Sequence, residues 1–265
     1  MKIATWNVNG IRARCAQVQE WLARDQPDIV CLQEIKAAAD QLFEVCEIDG
    51  YWTRWHGTKG YSGVAVLVRK AFHPGEPAFD VPSFDFETRI LAVAIERLTV
   101  ASVYVPNGGK DYAAKTTFLD ALEEFAAEVR DRDRDLVLCG DLNVTRSEMD
   151  VHPKERKPRA IGQLPEERAW LARMLADGLV DLGRALDPDN DAMFSWWAPW
   201  RSMRERNIGW RLDYVLASGQ VAQGATACPV LKDVGTSDHA PVMATFDPWG
   251  GPAGPAGSSV PGWRR

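Results

Sequence analysis

The chain has 265 residues, of which 46% are hydrophobic and 26% charged, the composition of a globular protein long enough to bury one large core. Its net charge of −6 argues against a protein that coats nucleic acid non-specifically, because such a protein would be basic, yet it suits an enzyme with a carboxylate cluster. No apolar run approaches the roughly 18 residues of a membrane span, and the N-terminus MKIATWNVNG is too polar for a signal peptide, so we expect a cytoplasmic protein that is not secreted.

Apolar runs rich in β-branched residues alternate with amphipathic stretches along the chain. The apolar runs predict eight strands, at residues 2–8, 28–33, 63–69, 89–96, 98–105, 135–140, 211–217 and 241–246. Apolar residues spaced at i, i+3 and i+4 predict three helices, at residues 12–24, 113–132 and 165–176. Only Arg97 separates the fourth strand from the fifth, so these two are expected to form an antiparallel hairpin. This mixture of elements predicts a layered α/β or α+β fold.

The composition changes abruptly at Asp247. Nine of the last 19 residues are glycine or proline, and such a segment buries too little apolar surface to offset the entropy lost on ordering. We therefore expect one catalytic domain over residues 1–246, followed by a flexible tail over residues 247–265.

The five cysteines are an odd number and include no CxxC pair. A disulfide scaffold and a structural zinc site are therefore not expected. Cys31 and Cys139 lie inside apolar runs, and we interpret them as small core residues.

Polar residues lie at the ends of apolar runs at five places along the chain. They are Asn7, Glu34, Asp141 with Asn143, Asp213, and Asp238 with His239. Any one of them could be an ordinary turn or cap residue. Together they predict a site at the edge of a sheet, where ligands gather in layered folds. Carboxylates and amides without thiols favour a hard cation, Mg²⁺ or its substitute Mn²⁺, and such an ion supports phosphodiester hydrolysis.

Six short motifs, in order along the chain, resemble the endonuclease/exonuclease/phosphatase superfamily. They are WNVNG (6–10), LQE (32–34), YVPN (104–107), GDLN (140–143), WRLDY (210–214) and SDHAP (237–241). Within that superfamily the chain is most similar to the exonuclease III type of apurinic/apyrimidinic endonuclease. The resemblance implies a four-layer αββα sandwich, with two packed mixed sheets flanked by helices and the active site at one edge.

The same resemblance implies a DNA-repair phosphodiesterase. Such an enzyme uses Mg²⁺ to incise duplex DNA 5′ to abasic sites and to trim 3′ ends. The implied partner is double-stranded DNA with abasic sites or blocked 3′ ends. The implied protein is a monomer that acts at the nucleoid and contacts no membrane.

The resemblance also implies metal and water-activating roles. Glu34 matches the principal metal ligand, with Asn7 beside it and Asp238 near the metal. Asp141 matches the carboxylate that orients and deprotonates the attacking water. Asn9 stands where some members carry an aspartate near the metal, so a second metal position does not follow.

Four further residues match groups that bind phosphate, and one matches a residue that supports them. Asn143 and His239 match the holders of the non-bridging oxygens, and Asp213 matches the partner that orients and charges His239. Tyr104 and Asn107 match additional phosphate contacts.

Trp196, Trp210 and Leu212 match the apolar slot that receives an extruded, base-free sugar. Lys110 and Trp200 stand at positions from which some members insert side chains into the duplex. Residues 152–163 and 200–211 each contain four basic residues and one acidic residue, which suits either a DNA-facing surface or solvated loops.

Two other functions remain open on these residues. A phosphoinositide phosphatase or other phosphoester hydrolase of the same superfamily would share most of the polar residues. A catalytically dead DNA-binding protein is the second alternative.

Overall fold

Twelve strands lie within the part of the chain that the structure, a computed structural model, describes: residues 1–38, 40–42 and 46–247. The strands are β1 (Lys2–Asn7), β2 (Ile29–Gln33), β3 (Tyr51–Thr58), β4 (Tyr61–Arg69), β5 (Ala78–Asp80), β6 (Ile90–Ile95), β7 (Leu98–Tyr104), β8 (Asp135–Asp141), β9 (Leu179–Asp181), β10 (Asp213–Ser218), β11 (Ala225–Ala227) and β12 (Val242–Phe246). The α-helices described over their full lengths are α1 (Ile11–Asp25), α2 (Tyr112–Asp131), α3 (Pro165–Ala176), α4 (Leu182–Leu186) and α5 (Gly219–Ala222).

The strands form two six-stranded sheets with the same pattern of directions. The first sheet has the order β11-β12-β1-β2-β4-β3, and the second has the order β5-β6-β7-β8-β10-β9. Each sheet contains one parallel pair, β1 with β2 and β7 with β8, among otherwise antiparallel neighbours. A helix crosses over between the members of each parallel pair, α1 in the first sheet and α2 in the second.

Both faces of the central strands are buried, which explains why they are almost continuously apolar. In β8, Val137 and Cys139 face the other sheet, whereas Leu136 and Leu138 face α2 and α3. In β2, Cys31 faces the second sheet, whereas Leu32 packs with α1. The layers are therefore helix, sheet, sheet and helix, which confirms the expected four-layer αββα sandwich.

The eight predicted strands and three predicted helices all form, with their ends shifted by at most two residues. The hairpin of β6 and β7 is antiparallel, as predicted, and pairs Ile95 with Leu98. Four strands were missed. Three of these (β5, β9, β11) have only three residues each, and β3 is an edge strand whose sequence YWTRWHGT mixes aromatic and polar side chains.

One covalent link was not expected from the cysteine count. Cys15 of α1 forms a disulfide with Cys46, while Cys31, Cys139 and Cys228 are free and buried. The sequence argued only against a disulfide scaffold, and a single bond is not a scaffold, but this pair was not foreseen. Sequence spacing could not reveal it, because 31 positions separate two cysteines that only the fold brings together.

Two further expectations concern the chain ends and membranes. Of the predicted tail, only Asp247 lies within the described residues, and its backbone N–H donates to Gly224 O. Residues 248–265 lie outside the described residues. Among the helices described, none is both long enough and apolar enough to cross a membrane.

Candidate active site

The two parallel pairs carry the site, because their carboxyl ends meet at one edge of the sandwich. Asn7 at the end of β1 lies in register with Gln33 at the end of β2, and Glu34 follows directly. In the second sheet Tyr104 at the end of β7 lies in register with Asp141 at the end of β8. The fold thus places acids and amides from distant parts of the sequence at a single edge.

The antiparallel neighbours β10 and β12 begin at that same edge. Asp213, the first residue of β10, lies opposite Asp141. His239 precedes β12, whose first residue, Val242, pairs with Thr5 of β1. Each sheet therefore supplies polar groups both where strands end and where a strand begins.

A buried polar contact locks the two sheets together just beneath the site. Gln33 Nε2 donates to Ser102 Oγ across 3.1 Å, and Thr5 Oγ1 donates to Gln33 Oε1 across 3.0 Å. All three side chains are fully buried. Every side-chain polar atom of these three residues has a hydrogen-bond partner, so burying them does not destabilise the core. The contact instead fixes the offset between the two sheets.

Asp141 lies at the centre of the polar groups. Its Oδ2 accepts from Asn7 Nδ2 at 2.9 Å, and its Oδ1 accepts from the backbone N–H of Asn143 at 3.0 Å. Burial raises the pKa of Asp141 to about 7. The charge of His239 opposes this rise, whereas the charges of Asp213 and Glu34 add to it. A carboxylate with a pKa near neutrality is suited to accept a proton.

Glu34 faces Asp141 from the other sheet. Asn7 Nδ2 donates to Glu34 Oε1 at 2.9 Å, and Lys36 Nζ lies 2.6 Å from Glu34 Oε2. Burial raises the pKa of Glu34, but the hydrogen bonds from Asn7 and Lys36 and the Lys36 charge outweigh it, so the net pKa is lowered. Glu34 is therefore an ionised carboxylate at neutral pH.

His239 is held by a carboxylate on the far side of its ring. His239 Nδ1 lies 2.9 Å from Asp213 Oδ2, which also accepts from Ser195 Oγ at 2.7 Å. Burial lowers the pKa of His239, but the charges of Asp213 and Asp141 overcome it and raise that pKa to about 10. His239 is consequently an imidazolium at neutral pH. Its Nε2 lies 3.7 Å from Asp141 Oδ2.

Asp238 accepts hydrogen bonds from Asn9 and Trp196, not from the groups around Glu34 and Asp141. Asn9 Nδ2 donates to Asp238 Oδ1 at 2.8 Å, and Trp196 Nε1 donates to Asp238 Oδ2 at 3.1 Å. Burial raises the pKa of Asp238, but His239 and these two hydrogen bonds lower it below its usual value. The predicted place of Asp238 near a metal stays a prediction.

Asn143, Asn107 and Tyr104 surround the opening on the side of the second sheet. Asn143 has a left-handed backbone, with φ of 51°, and its Nδ2 donates to Val105 O at 3.0 Å. Asn107 Nδ2 donates to Asn143 Oδ1 at 3.3 Å. Burial, with the charges of Glu34 and Asp141, raises the pKa of Tyr104, so its hydroxyl stays protonated.

These groups line one cavity of about 190 Å³. Its lining residues are Glu34, Tyr104, Asn107, Asp141, Asn143, Ile161, Trp196, Trp210, Leu212, Asp238 and His239. Trp196 and Trp210 meet edge to face, with ring centroids 5.6 Å apart. The cavity therefore has a polar side and an aromatic side.

Four predicted site residues lie outside this lining. Asn7 touches Glu34 and Asp141 from beneath, and Asp213 lies behind His239. Lys110 and Trp200 are both exposed in loops, with 60% of Trp200 accessible. The structure thus joins Asn7 and Asp213 to the site by hydrogen bonds but leaves Lys110 and Trp200 apart from the cavity.

The basic segment 200–211 is only partly available to a ligand. Arg211 is buried between Asp150 and Asp181, and Arg204 donates to three backbone carbonyls, those of Lys232, Val234 and Ser237. These two arginines are structural, and Arg211 is buried, so it fits neither the DNA-facing nor the solvated-loop interpretation of this segment.

The donor set fits a divalent cation. Ligand atoms of Glu34, Asp141 and His239 all lie within 4.8 Å of one another. A protonated His239 has no free lone pair for a metal, so the two carboxylates are the ligands that this set offers. Burial, followed by the negative charges of Asp213 and Glu34, raises the pKa of Asp141, and a cation beside this carboxylate would favour its ionised form. As placed, Asn7 turns its NH₂ group toward both carboxylates, and its Oδ1 accepts from Asn9 N–H at 3.0 Å.

Three contributors escaped the sequence analysis. Ile161 lines the cavity from a loop, Ser195 orients Asp213, and Lys36 pairs with Glu34. Lys36 could have been found, because it lies two positions after Glu34. Ile161 and Ser195 carry no local signal, since only the fold brings them to the site.

The sequence profile of the endonuclease/exonuclease/phosphatase family matches residues 4–239. Exodeoxyribonuclease III of Haemophilus influenzae is 32% identical over 266 residues, covering 93% of this chain and all of that protein.

Two solved structures have the same fold. The first is a 3′ phosphatase from Neisseria bound to a product DNA hairpin, with a TM-score of 0.82 and 33% identity over 93% of this chain and 99% of that one. The second is an AP endonuclease from Archaeoglobus fulgidus, with a TM-score of 0.82, 29% identity and the same coverage.

Proposed function

This chain belongs to the endonuclease/exonuclease/phosphatase family, and we propose that it is a metal-dependent DNA-repair phosphodiesterase of the exonuclease III type. In this proposal it incises duplex DNA 5′ to abasic sites and trims blocked 3′ ends, acting as a monomer at the nucleoid. One observation carries the proposal: Asp141 lies between Glu34 and the His239–Asp213 pair on the floor of a cavity with an aromatic wall.

Glu34, with Asp141 opposite, would hold the cation, Mg²⁺ or Mn²⁺. When bound, such an ion neutralises charge on a phosphoryl oxygen and favours ionisation of water. Asp141 orients the attacking water and accepts its proton, helped by the fixed positions of Asn7 and Asn143. Asn7 and Asp238 remain predicted neighbours of the metal.

His239 supplies positive charge for the phosphate. Its Nδ1–H is committed to Asp213, so Nε2–H is the donor left for a non-bridging oxygen. Such preorganised charge stabilises the transition state more than the ground state, because the phosphoryl group gains charge as the water attacks. Asn143, Asn107 and the Tyr104 hydroxyl are further proposed donors at the mouth of the cavity.

Trp196, Trp210 and Leu212 form the proposed slot for an extruded sugar. A cavity of about 190 Å³ accommodates a base-free deoxyribose more readily than a full nucleotide. Extrusion costs least where base pairing is already absent, so a slot of this kind selects abasic sites. Lys110 and Trp200 are proposed duplex contacts outside the slot.

The test uses the purified protein with Mg²⁺ on end-labelled duplexes that are abasic, nicked or blunt. We expect incision 5′ to the abasic analogue and removal of 3′ ends, both abolished by a chelator. A phosphoinositide in parallel reactions tests the lipid-phosphatase alternative. Release of phosphate from that lipid without DNA cleavage would contradict the proposal, and DNA binding without any cleavage would indicate a catalytically dead protein.

A further inference from the structure

A buried ion pair lies beneath the two asparagines at the mouth of the cavity. Lys115, in the first turn of α2, is fully buried, and Glu167, in the first turn of α3, is 1% exposed. Lys115 Nζ lies 2.5 Å from Glu167 Oε1. Burying two charges is costly, and the pair contributes little net stability compared with apolar side chains, so its presence calls for another explanation.

The remaining contacts of Lys115 go to the backbone of the site. Lys115 Nζ donates to Asn143 O at 2.8 Å and more distantly to Asn107 O at 3.4 Å. These carbonyls belong to two loops, one after β8 and one after β7. The second loop also packs on the lysine stem, since a Cβ on Gly108 would come within 2.8 Å of Lys115 Cδ.

Glu167 extends the clamp to a third loop. Its Oε2 accepts from the backbone N–H of Gly162 at 2.6 Å and of Leu164 at 3.0 Å. Gly162 follows Ile161 of the cavity lining, and a Cβ there would lie 3.1 Å from the Trp210 ring. The pair therefore joins the polar mouth of the cavity to its aromatic wall.

The backbone of Asn143 is held on both sides. Its φ of 51° lies in the left-handed region, which asparagine adopts more readily than most other non-glycine residues. The Lys115 ammonium donates to the Asn143 carbonyl, and the Asn143 backbone N–H donates to Asp141 Oδ1. These two hydrogen bonds fix the peptide units on both sides of Asn143. A rotation here would move both the Asn143 amide and the group that orients Asp141.

We propose that Lys115, held by Glu167, is a positioning residue that sets Asn143 and Asn107 at the geometry needed for phosphate. The inference rests on the proposed phosphodiesterase function. Neither side chain can reach substrate, because both are buried, so the pair acts only through the loops that it holds.

The test separates positioning from stability with two variants and a matched control. Lys115→Met keeps the length of the stem but leaves the Glu167 carboxylate unpaired. Adding Glu167→Gln removes that charge while an amide oxygen can still accept from Gly162 and Leu164. Trp170→Phe is the control: it deletes the 2.7 Å bond from Trp170 Nε1 to Leu119 O between the same two helices, away from both asparagines.

We expect the double variant to melt at a higher temperature than Lys115→Met. Turnover should nevertheless fall at least about tenfold in both variants, with KM little changed, because a small misplacement of a catalytic group greatly lowers the reaction rate. The amide NMR signals of Asn143 and Asn107 should shift in both. Trp170→Phe should melt earlier but keep its turnover and those signals.

Recovery of turnover together with melting temperature in the double variant would show that the pair only stabilises the fold. Unchanged turnover in Lys115→Met would overturn the inference as well. If Lys115→Met does not fold, turnover and the amide signals of the double variant are compared with those of Trp170→Phe. This comparison then decides between positioning and stability. A wild-type protein that cleaves no DNA would instead refute the proposed function, and the NMR comparison would still report on positioning.

Discussion

His239 and Asp213 join the two sheets at the site edge, with Nδ1 and Oδ2 2.9 Å apart. Asp213 begins β10 of the second sheet, and His239 lies just before β12 of the first. The bond therefore ties the relative placement of the sheets to the charge of the imidazole. The proposed role of His239 as a positively charged donor to phosphate depends on Asp213, because the aspartate fixes the orientation of the ring and keeps it protonated.

This coupling predicts non-additive losses of activity. His239→Asn should remove most of the turnover, Asp213→Ala a comparable share, and the double variant should be no worse than the worse single variant. The measurement is single-turnover incision of an abasic duplex by all four proteins. Losses that multiply would mean that the two side chains act independently.

Asp141 and Glu34 are expected to serve the reaction more than the fold. Asp141→Asn and Glu34→Gln should each reduce turnover about 100-fold or more, because they remove water activation or charge stabilisation. DNA affinity should change far less. Asp135→Asn, at the opposite end of the same strand β8, is the matched control and should keep its turnover. Near-normal turnover of Asp141→Asn at saturating Mg²⁺ would refute the assigned role.

Trp210 is expected to govern substrate choice. Trp210→Ala widens the proposed slot by most of an indole, so discrimination between an abasic and an undamaged site should fall about tenfold, corresponding to the roughly 1–3 kcal/mol that pocket shape provides. Incision of matched duplexes under single-turnover conditions measures this. Trp200→Ala, outside the cavity, should change both rates by the same factor. If Trp210→Ala reduces incision of the abasic and the undamaged duplex by the same factor, the tryptophan contributes only to packing and not to substrate choice.

Asp150 and Asp181 predict how stability depends on pH. Burial raises the pKa of each, but the charge and hydrogen bonds of Arg211 and its neighbouring arginines outweigh burial, so both values are lowered. Because their pKa values are lower in the folded protein than in the unfolded chain, the two ionised aspartates stabilise the fold. This stabilisation is complete at a pH above the unfolded-state pKa of 3.8, and it is lost as the pH falls through the folded-state pKa.

Urea unfolding between pH 6 and pH 3 tests this expectation. The wild-type free energy of unfolding should fall steeply below about pH 4. Asp150→Asn should be less stable at pH 6 by about 1.5–3 kcal/mol, because it weakens the charge-assisted hydrogen bonds that Arg211 and Arg184 donate to this carboxylate. The stability of the variant should also depend less steeply on pH. Identical slopes for the two proteins would show that Asp150 does not contribute to the acid transition.

The sequence by itself determined the layered fold and most of the candidate site. Long apolar runs such as β2 and β8 must be buried on both faces, and the amphipathic spacing of α2 requires one apolar face against a sheet. The polar residues that end these runs, among them Glu34 and Asp141, could then lie only at a sheet edge. Local pattern suffices here because burial is decided residue by residue along each element.

Only the tertiary structure decided which distant groups meet and what charge they carry. The pKa of about 7 at Asp141 and about 10 at His239 depends on burial and on neighbours from other strands, which no local pattern contains. The Cys15–Cys46 bond and the Lys115–Glu167 pair likewise join residues 31 and 52 positions apart. Electrostatic and covalent contacts act through space, so they became visible only once the two sheets and their helices were packed together.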